Sequence, residues 1–352
     1  MPSKRVLVIG ATGVAGSAFI NHILTNPGSY PDWELTGVTR QSRQDPPSVT
    51  ENRLRYVQAD LLSDYSTLKT LTDITHVVFA GFVPAPDFEQ QVAPNRDIVI
   101  NCLQALERCP IERFLLIQGM KYYGSHLGAF KTPAREDDAR HAGANYYYAQ
   151  QDALEQSGVS WTCLRPHVIC GTTSVGTPQN ILTVLGVYAA LMRKLDQPLY
   201  WPGTATSFST INQATDAGLL ARAIGWFLQY EQAHQEAYNI TNGDYFRWEN
   251  LWPRLADHFS MANGGVRTTD LATTMPALAT QWDEIVRDQD LQPYNMTAVA
   301  HWPFADYILR TGWDVMANTT KARLAGFHDC LDTETMYLEH FASLQRLRIL
   351  PT

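Results

Sequence analysis

A phenol held beside an ammonium can donate a hydrogen bond, or a proton, to an oxygen that is gaining negative charge, and the cation keeps the phenol acidic enough to do so. On one helix such a pair needs the spacing Tyr-x-x-x-Lys. In this 352-residue chain only Tyr65-Ser66-Thr67-Leu68-Lys69 has that spacing, and it lies just after the third apolar run, too early to serve. A denser group comes later. Tyr146-Tyr147-Tyr148 opens a helical pattern, but Gln150, Gln151 and Asp152 stand where a lysine would be expected. Lys121 lies instead in Gly119-Met120-Lys121-Tyr122-Tyr123-Gly124, directly after an apolar run. The pair would then come from two segments, a strand end and a helix start. The plain alternative is that the tyrosines are packing residues, since aromatics bury large areas, and that Lys121 is a surface charge.

A second group belongs to the start of the chain. Gly10-Ala11-Thr12-Gly13-Val14-Ala15-Gly16 follows an apolar run and opens an amphipathic one. The first glycine suits a tight turn, the second a close approach of a pyrophosphate to the backbone, and the third close packing of helix on strand. The helix N-terminus offers free N–H groups to phosphates. The second apolar run ends in Gly37-Val38-Thr39-Arg40, with Arg43 close behind, where an enzyme using NAD usually carries a carboxylate. A guanidinium there suits a 2′-phosphate, so the expected cofactor is NADPH. Asp60-Leu61, after the third run, either contacts the adenine or caps the following helix.

These residues need a scaffold. Short apolar runs at 5–9, 34–39, 54–58, 76–80, 114–118 and 161–164 alternate with helical patterns at 15–25, 65–71, 95–108 and 146–157. The runs do not alternate in polarity, as expected of strands covered on both faces. The expected fold is α/β, a Rossmann-type doubly wound parallel sheet with a smaller, mainly helical C-terminal substrate lobe. Residues 1–171 form the NADP-binding core and 172–352 the lobe, with 209–245, including a strand at 236–240, returning to the core. Ligands in such sheets bind at the carboxyl edge.

The formal charge of −8, with no basic run, excludes a nucleic-acid binder. Residues 181–192, the longest apolar stretch, are too few to span a bilayer, and no signal peptide is visible. Five cysteines without Cys-x-x-Cys suit buried thiols in a reducing compartment, and the cytoplasm is the expected location. The scattered histidines give no metal site.

Several segments together resemble the progesterone 5β-reductase/iridoid synthase family of atypical short-chain reductases. The lysine-bearing segment at Gly119 to Gly124 is similar to the family's, as is Asn145-Tyr146-Tyr147-Tyr148-Ala149-Gln150-Gln151-Asp152, with Tyr for Phe at 146 and Gln for Glu at 151. Arg165-Pro166-His167-Val168-Ile169-Cys170-Gly171 and Trp302-Pro303-Phe304-Ala305-Asp306 extend the likeness over nearly the whole chain. The resemblance implies NADPH-dependent 1,4-reduction of an enone or enal. Hydride passes to the β-carbon, and the enolate is stabilised by Tyr148 with Lys121. Tyr147 is the neighbour most easily confused with Tyr148. The implied cofactor contacts are Gly10, Thr12, Gly13, Val14, Gly16, Arg40, Asp60, Leu61, Ala80, Lys121, Tyr148, His167 and Val168. Gln118 and Met120 depart from the family's hydroxyl residues, and Phe82 from its tryptophan. Phe82, Met120, Phe130, Tyr188, Phe208 and Phe304 are the candidate walls for a small apolar carbonyl substrate. A homodimer is compatible with the sequence. The competing readings are a carbonyl reductase or sugar-nucleotide epimerase, which would normally keep Tyr-x-x-x-Lys, and a non-catalytic NADP sensor, which would dispense with both the tyrosine and the lysine.

Overall fold

The computed structural model describes residues 4–40, 53–173 and 179–352. Arg43 lies outside them. Seven strands form one sheet: β1 (Lys4–Ile9), β2 (Trp33–Thr39), β3 (Leu54–Gln58), β4 (His76–Phe79), β5 (Arg113–Ile117), β6 (Trp161–Pro166) and β7 (Glu236–Ile240). All pairings within it are parallel, in the order β7-β6-β5-β4-β1-β2-β3. The chain reverses its direction of winding between β1 and β4, and Ile9 is paired with both Val38 and Phe79. Gly10, Arg40 and Ala80 therefore emerge side by side at the carboxyl edge, where loops diverge and leave a crevice.

Strands β1, β4 and β5 are buried along almost their whole length, because helices cover both faces. On one face Phe19 and Ile23 of α1 (Val14–Thr25) pack with Leu220 and Ile224 of the helix Ala217–Phe227. On the other, Ile98, Val99 and Cys102 of α2 (Val92–Ala105) pack with Leu154 of α3 (Tyr146–Ser157). Strand β3 is only partly buried, since it closes one edge of the sheet. Two helical expectations shift. Helix α2 starts earlier than the pattern at 95–108, because Pro94 falls in its first turn, where a missing N–H costs nothing. The pattern at 65–71 becomes a short 3₁₀ turn, Ser66–Thr70.

A separate apolar cluster gathers around α4 (Ile181–Lys194). Every residue from Ile181 to Met192 is buried, as an all-round apolar helix requires. Trp201, Trp248 and Trp252 pack beside it, with Trp252 edge-on to Trp201, and helices Trp302–Leu309 and Thr333–Arg346 complete the layer. No helix among the described residues is long and apolar enough to cross a membrane.

The glycine turn is sterically explicit. Gly10 has φ +77°, and a Cβ there would meet the Ala80 carbonyl oxygen at 2.6 Å. A Cβ on Gly16 would lie 2.3 Å from the Gly10 oxygen, whereas one on Gly13 would meet only that oxygen, at 3.4 Å. Gly16→Ala should therefore cost about 1–3 kcal/mol by overpacking. Gly13→Ala should stay within about 0.5 kcal/mol of the parent yet bind a nicotinamide dinucleotide more weakly. Urea unfolding, with nucleotide titration followed by fluorescence, separates the two effects.

Candidate active site

Three strand ends build the nucleotide half. Gly13 precedes α1 in an extended conformation, with no side chain capping the helix. The first N–H groups of α1 are thus left for an anion, and the open side of Gly13 gives it room. Arg40 is exposed at the end of β2, and its carbonyl accepts a hydrogen bond from Gln58. Asp60 accepts the Leu62 N–H at 2.9 Å, closing a local turn, so it does not cap the next helix. Leu61 is core, and its carbonyl is taken by Asn101. Beyond β6, Val168 has φ +36°, an unusual conformation for a β-branched residue. It is held there by Thr215, whose hydroxyl accepts the His167 N–H and whose own N–H donates to the Val168 carbonyl. Such imposed backbone strain clusters at ligand sites. Burial pushes the His167 imidazole down to about 4, so it is neutral at physiological pH. The glycine turn, the uncapped helix and the adjoining strand ends fit a dinucleotide.

The chemical half lies at the ends of β5 and β6. Lys121 occupies the turn Met120–Tyr123 directly after β5. Asn145 fixes the start of α3: its side-chain oxygen accepts the Tyr147 N–H at 2.9 Å, and its nitrogen donates to the Lys121 carbonyl at 2.9 Å. One side chain thereby ties the lysine turn to the tyrosine helix.

Successive helical residues point about 100° apart, so the three tyrosines have three environments. The Tyr147 hydroxyl would lie 3.0 Å from a Cβ on Gly119, and the Pro166 carbonyl 3.4 Å from the same point, which puts it at the mouth between β5 and β6. The Tyr147 ring packs on that of Tyr146 with centres 4.3 Å apart, and the Tyr146 ring packs in turn on Phe82 and Phe88. Burial pushes the Tyr147 phenol up to about 12, so it remains a donor at neutral pH. Tyr148 points elsewhere. Its hydroxyl donates to the Tyr122 carbonyl at 2.6 Å and accepts the His141 N–H at 3.0 Å, while Arg140 covers its ring. The hydroxyl expected to face the substrate is thus spent on the wall.

The Lys121 ammonium stands 4.8 Å from the Tyr307 ring centre and 5.4 Å from that of Phe88. No carboxylate pairs with it among the described residues. Tyr307 comes from the helical lobe and lies near both Ser125 and Tyr147.

The residues expected as substrate walls fall in different surroundings. Phe82 is 40% exposed against Tyr146, and Phe130 is half-buried beside Tyr122 and Tyr148. Phe208 and Phe304 are half-buried at the margin of the lobe cluster. Tyr188 is 1% exposed inside that cluster, with its hydroxyl on the Tyr200 carbonyl, and Met120 is buried in a small cluster against which Tyr147 and Phe130 pack. Phe88, Tyr146 and Tyr307, which the sequence did not single out as walls, stand beside Lys121 or Tyr147. Only Asn145 could have been read in advance, as a helix cap just before an apolar pattern. The others are brought in by tertiary folding.

Residues 10–181 match a family described as NAD(P)H-binding. An (S)-8-oxocitronellyl enol synthase of Camptotheca acuminata is 30% identical over 98% of this chain and 93% of its own length. A 3-oxo-Delta(4,5)-steroid 5-beta-reductase of Arabidopsis thaliana is 29% identical over 98% and 93%. A short chain dehydrogenase of Penicillium aethiopicum, gsfE, is 27% identical over 99% of both. Among solved structures, a UDP-glucuronic acid 4-epimerase of Bacillus cereus with NAD aligns at a TM-score of 0.65, covering 97% of this chain and 96% of that one, at 14% identity. At that identity the likeness speaks for the fold alone.

Burial lowers the Lys121 pKa from the ordinary 10.5. Folding therefore disfavours the ammonium, by a cost that is full below the folded-state pKa and fades as pH rises towards 10.5. Lys121→Met should then be more stable than the parent at pH 7, with the advantage shrinking by pH 10. Urea unfolding at both pH values checks this; a constant difference would mean that the charge is not the cause.

Proposed function

The chain belongs to the progesterone 5β-reductase/iridoid synthase-like family of short-chain reductases, and from that premise we propose that Tyr147 and Lys121 serve 1,4-reduction of an activated C=C bond in a small, largely apolar enone or enal. It is an oxidoreductase that takes a nicotinamide cofactor. When bound, the reduced nicotinamide supplies a hydride for the β-carbon. Negative charge then grows on the substrate oxygen. The Tyr147 phenol donates a hydrogen bond to that oxygen, an interaction worth ~2.7–4 kcal/mol in a preorganised, water-poor site. The unpaired Lys121 ammonium favours the same charge. A solvent proton completes the α-carbon.

What supports this reading is that the Lys121 ammonium, with no acid beside it among the described residues, and the half-buried Tyr147 phenol both neighbour Tyr307 at the ends of β5 and β6. Tyr147 takes the role that the sequence alone gave to Tyr148, because the Tyr148 hydroxyl is already engaged at both its donor and an acceptor position. NADPH is proposed over NADH on the strength of exposed Arg40, which suits a 2′-phosphate. The five free cysteines, three of them buried, agree with a cytoplasmic enzyme.

Turnover of NADPH with enones, enals and matched saturated ketones, with product identification, tests the reaction. Reduction of the saturated ketones alone would overturn it. Tyr147→Phe should lower kcat by ~10²–10³. Tyr148→Phe should keep kcat within ~10-fold of the parent and lose about 0.5–1.5 kcal/mol of stability. The reverse pattern would return the role to Tyr148.

Arg40→Asp should shift the ratio of kcat/KM values for NADPH and NADH by at least ~10-fold towards NADH. An unchanged ratio would show that Arg40 does not read the phosphate.

A further inference from the structure

His126 has no part in the chemistry above, yet its imidazole sits among the groups that perform it. It packs on Phe88 with ring centres 3.9 Å apart and on His141 at 5.6 Å. The residue before it, Ser125, is held from the helical lobe by the Trp313 indole N–H on its carbonyl at 3.2 Å, with Tyr307 close by. His126 thus stands where lobe and sheet edge meet. Both its ring nitrogens are buried, and neither has a hydrogen-bond partner. A neutral imidazole carries one donor and one acceptor, and leaving both unmet inside a protein is costly. In native structures such orphans call for an explanation, a ligand among them. Burial, then the charge of Lys121, pushes this imidazole down to about 4, so it is a neutral hydrogen-bonding group and not an acid.

We propose that His126 is a specificity-determining residue that hydrogen-bonds a hydroxyl of the substrate, remote from the reacting C=C bond. The inference rests on the reductase reading above. Ring contacts run from His126 to Phe88, from Phe88 to Tyr146 at 5.2 Å, and from Tyr146 to Tyr147 at 4.3 Å. The imidazole is therefore displaced from the phenol assigned to the enolate oxygen, and it meets a different part of the ligand. A hydroxyl suits it, since a hydroxyl can donate to one imidazole nitrogen or accept from the other. Leu127, next in the chain, and Phe82, packed on Tyr146, are both exposed and suit the apolar remainder. Phe88, which covers the imidazole, must give way when the hydroxyl arrives.

The test uses linear 2-enals of increasing length, each with and without a terminal hydroxyl, assayed with NADPH. The parent should prefer the hydroxylated member by at least ~10-fold in kcat/KM at one chain length. His126→Phe should abolish that preference while still reducing the plain enals, with a melting temperature no lower than the parent's. His126→Gln, which keeps a donor and an acceptor, should retain part of it, and it carries the test if the Phe variant does not fold. No preference at any length, or an equal loss on both members of a pair, would overturn the inference and leave the reductase reading standing. Failure to reduce any enal would remove both.

Discussion

One amide holds the candidate site together. Asn145 accepts from the Tyr147 N–H and donates to the Lys121 carbonyl, so a single side chain sets both where α3 begins and where the lysine turn lies. When phenol and lysine share a helix, their separation follows from helical geometry and needs no further support. Here the two groups come from segments far apart in sequence. Their separation is a tertiary quantity, and something rigid must impose it. A capping asparagine is well suited, because its oxygen and nitrogen are fixed relative to one another and both are used.

The floor beneath that bridge is built from charge. Arg165, at the end of β6, is 1% exposed and lies flat on the Tyr122 ring at 3.4 Å. Its guanidinium donates to Gln118 and Tyr123, and Gln118 in turn donates to the Tyr147 carbonyl. Gln118 departs from the hydroxyl residue expected beside the lysine, and this network accounts for it: a longer amide reaches from the buried cation to the tyrosine helix. The site therefore has a buried and a half-buried cation with opposite fates. Arg165 has its donors directed to fixed acceptors and acts as a structural anchor. Lys121 faces aromatic rings and no acid among the described residues, which leaves its field directed at whatever enters. A buried charge left without a counter-ion is expensive, and such an expense is usual where a ligand is meant to supply the missing charge.

Much of this was legible in the sequence because it is local. The glycine turn, the seven strands and helices α1 and α3 follow from period and punctuation, and their observed bounds lie close to the expected ones. The lysine's move from helix to strand end could be read from what was missing at 150–152. What the sequence did not resolve was rotation. Tyr147 and Tyr148 are adjacent, chemically identical and equally placed in any motif. Only the phase of α3 against β5, set by Asn145 and by burial of Tyr146, turns one outward and the other into the wall. Apolar side chains posed a similar difficulty. Tyr188 and Phe304 are alike in kind, but the first sits on a helix buried all round and the second at the margin of the lobe.

The separation of lysine from tyrosine also bears on what the site can distinguish. With the lysine off α3, Gln150 and Gln151 turn inward, Gln150 donating to the Asn95 carbonyl and Gln151 accepting from Arg165. The turn that carries Lys121 continues directly into Ser125 and His126, and the helical lobe holds it through the Trp313 indole on the Ser125 carbonyl. Lys121 and His126 thus share one short segment, tied from the sheet side by Asn145 and from the lobe side by Trp313. Under the assignments proposed above, the group that reads the remote end of a substrate and the cation that favours charge on its oxygen lie within six residues of chain, so the lobe contact that fixes one also bears on the other.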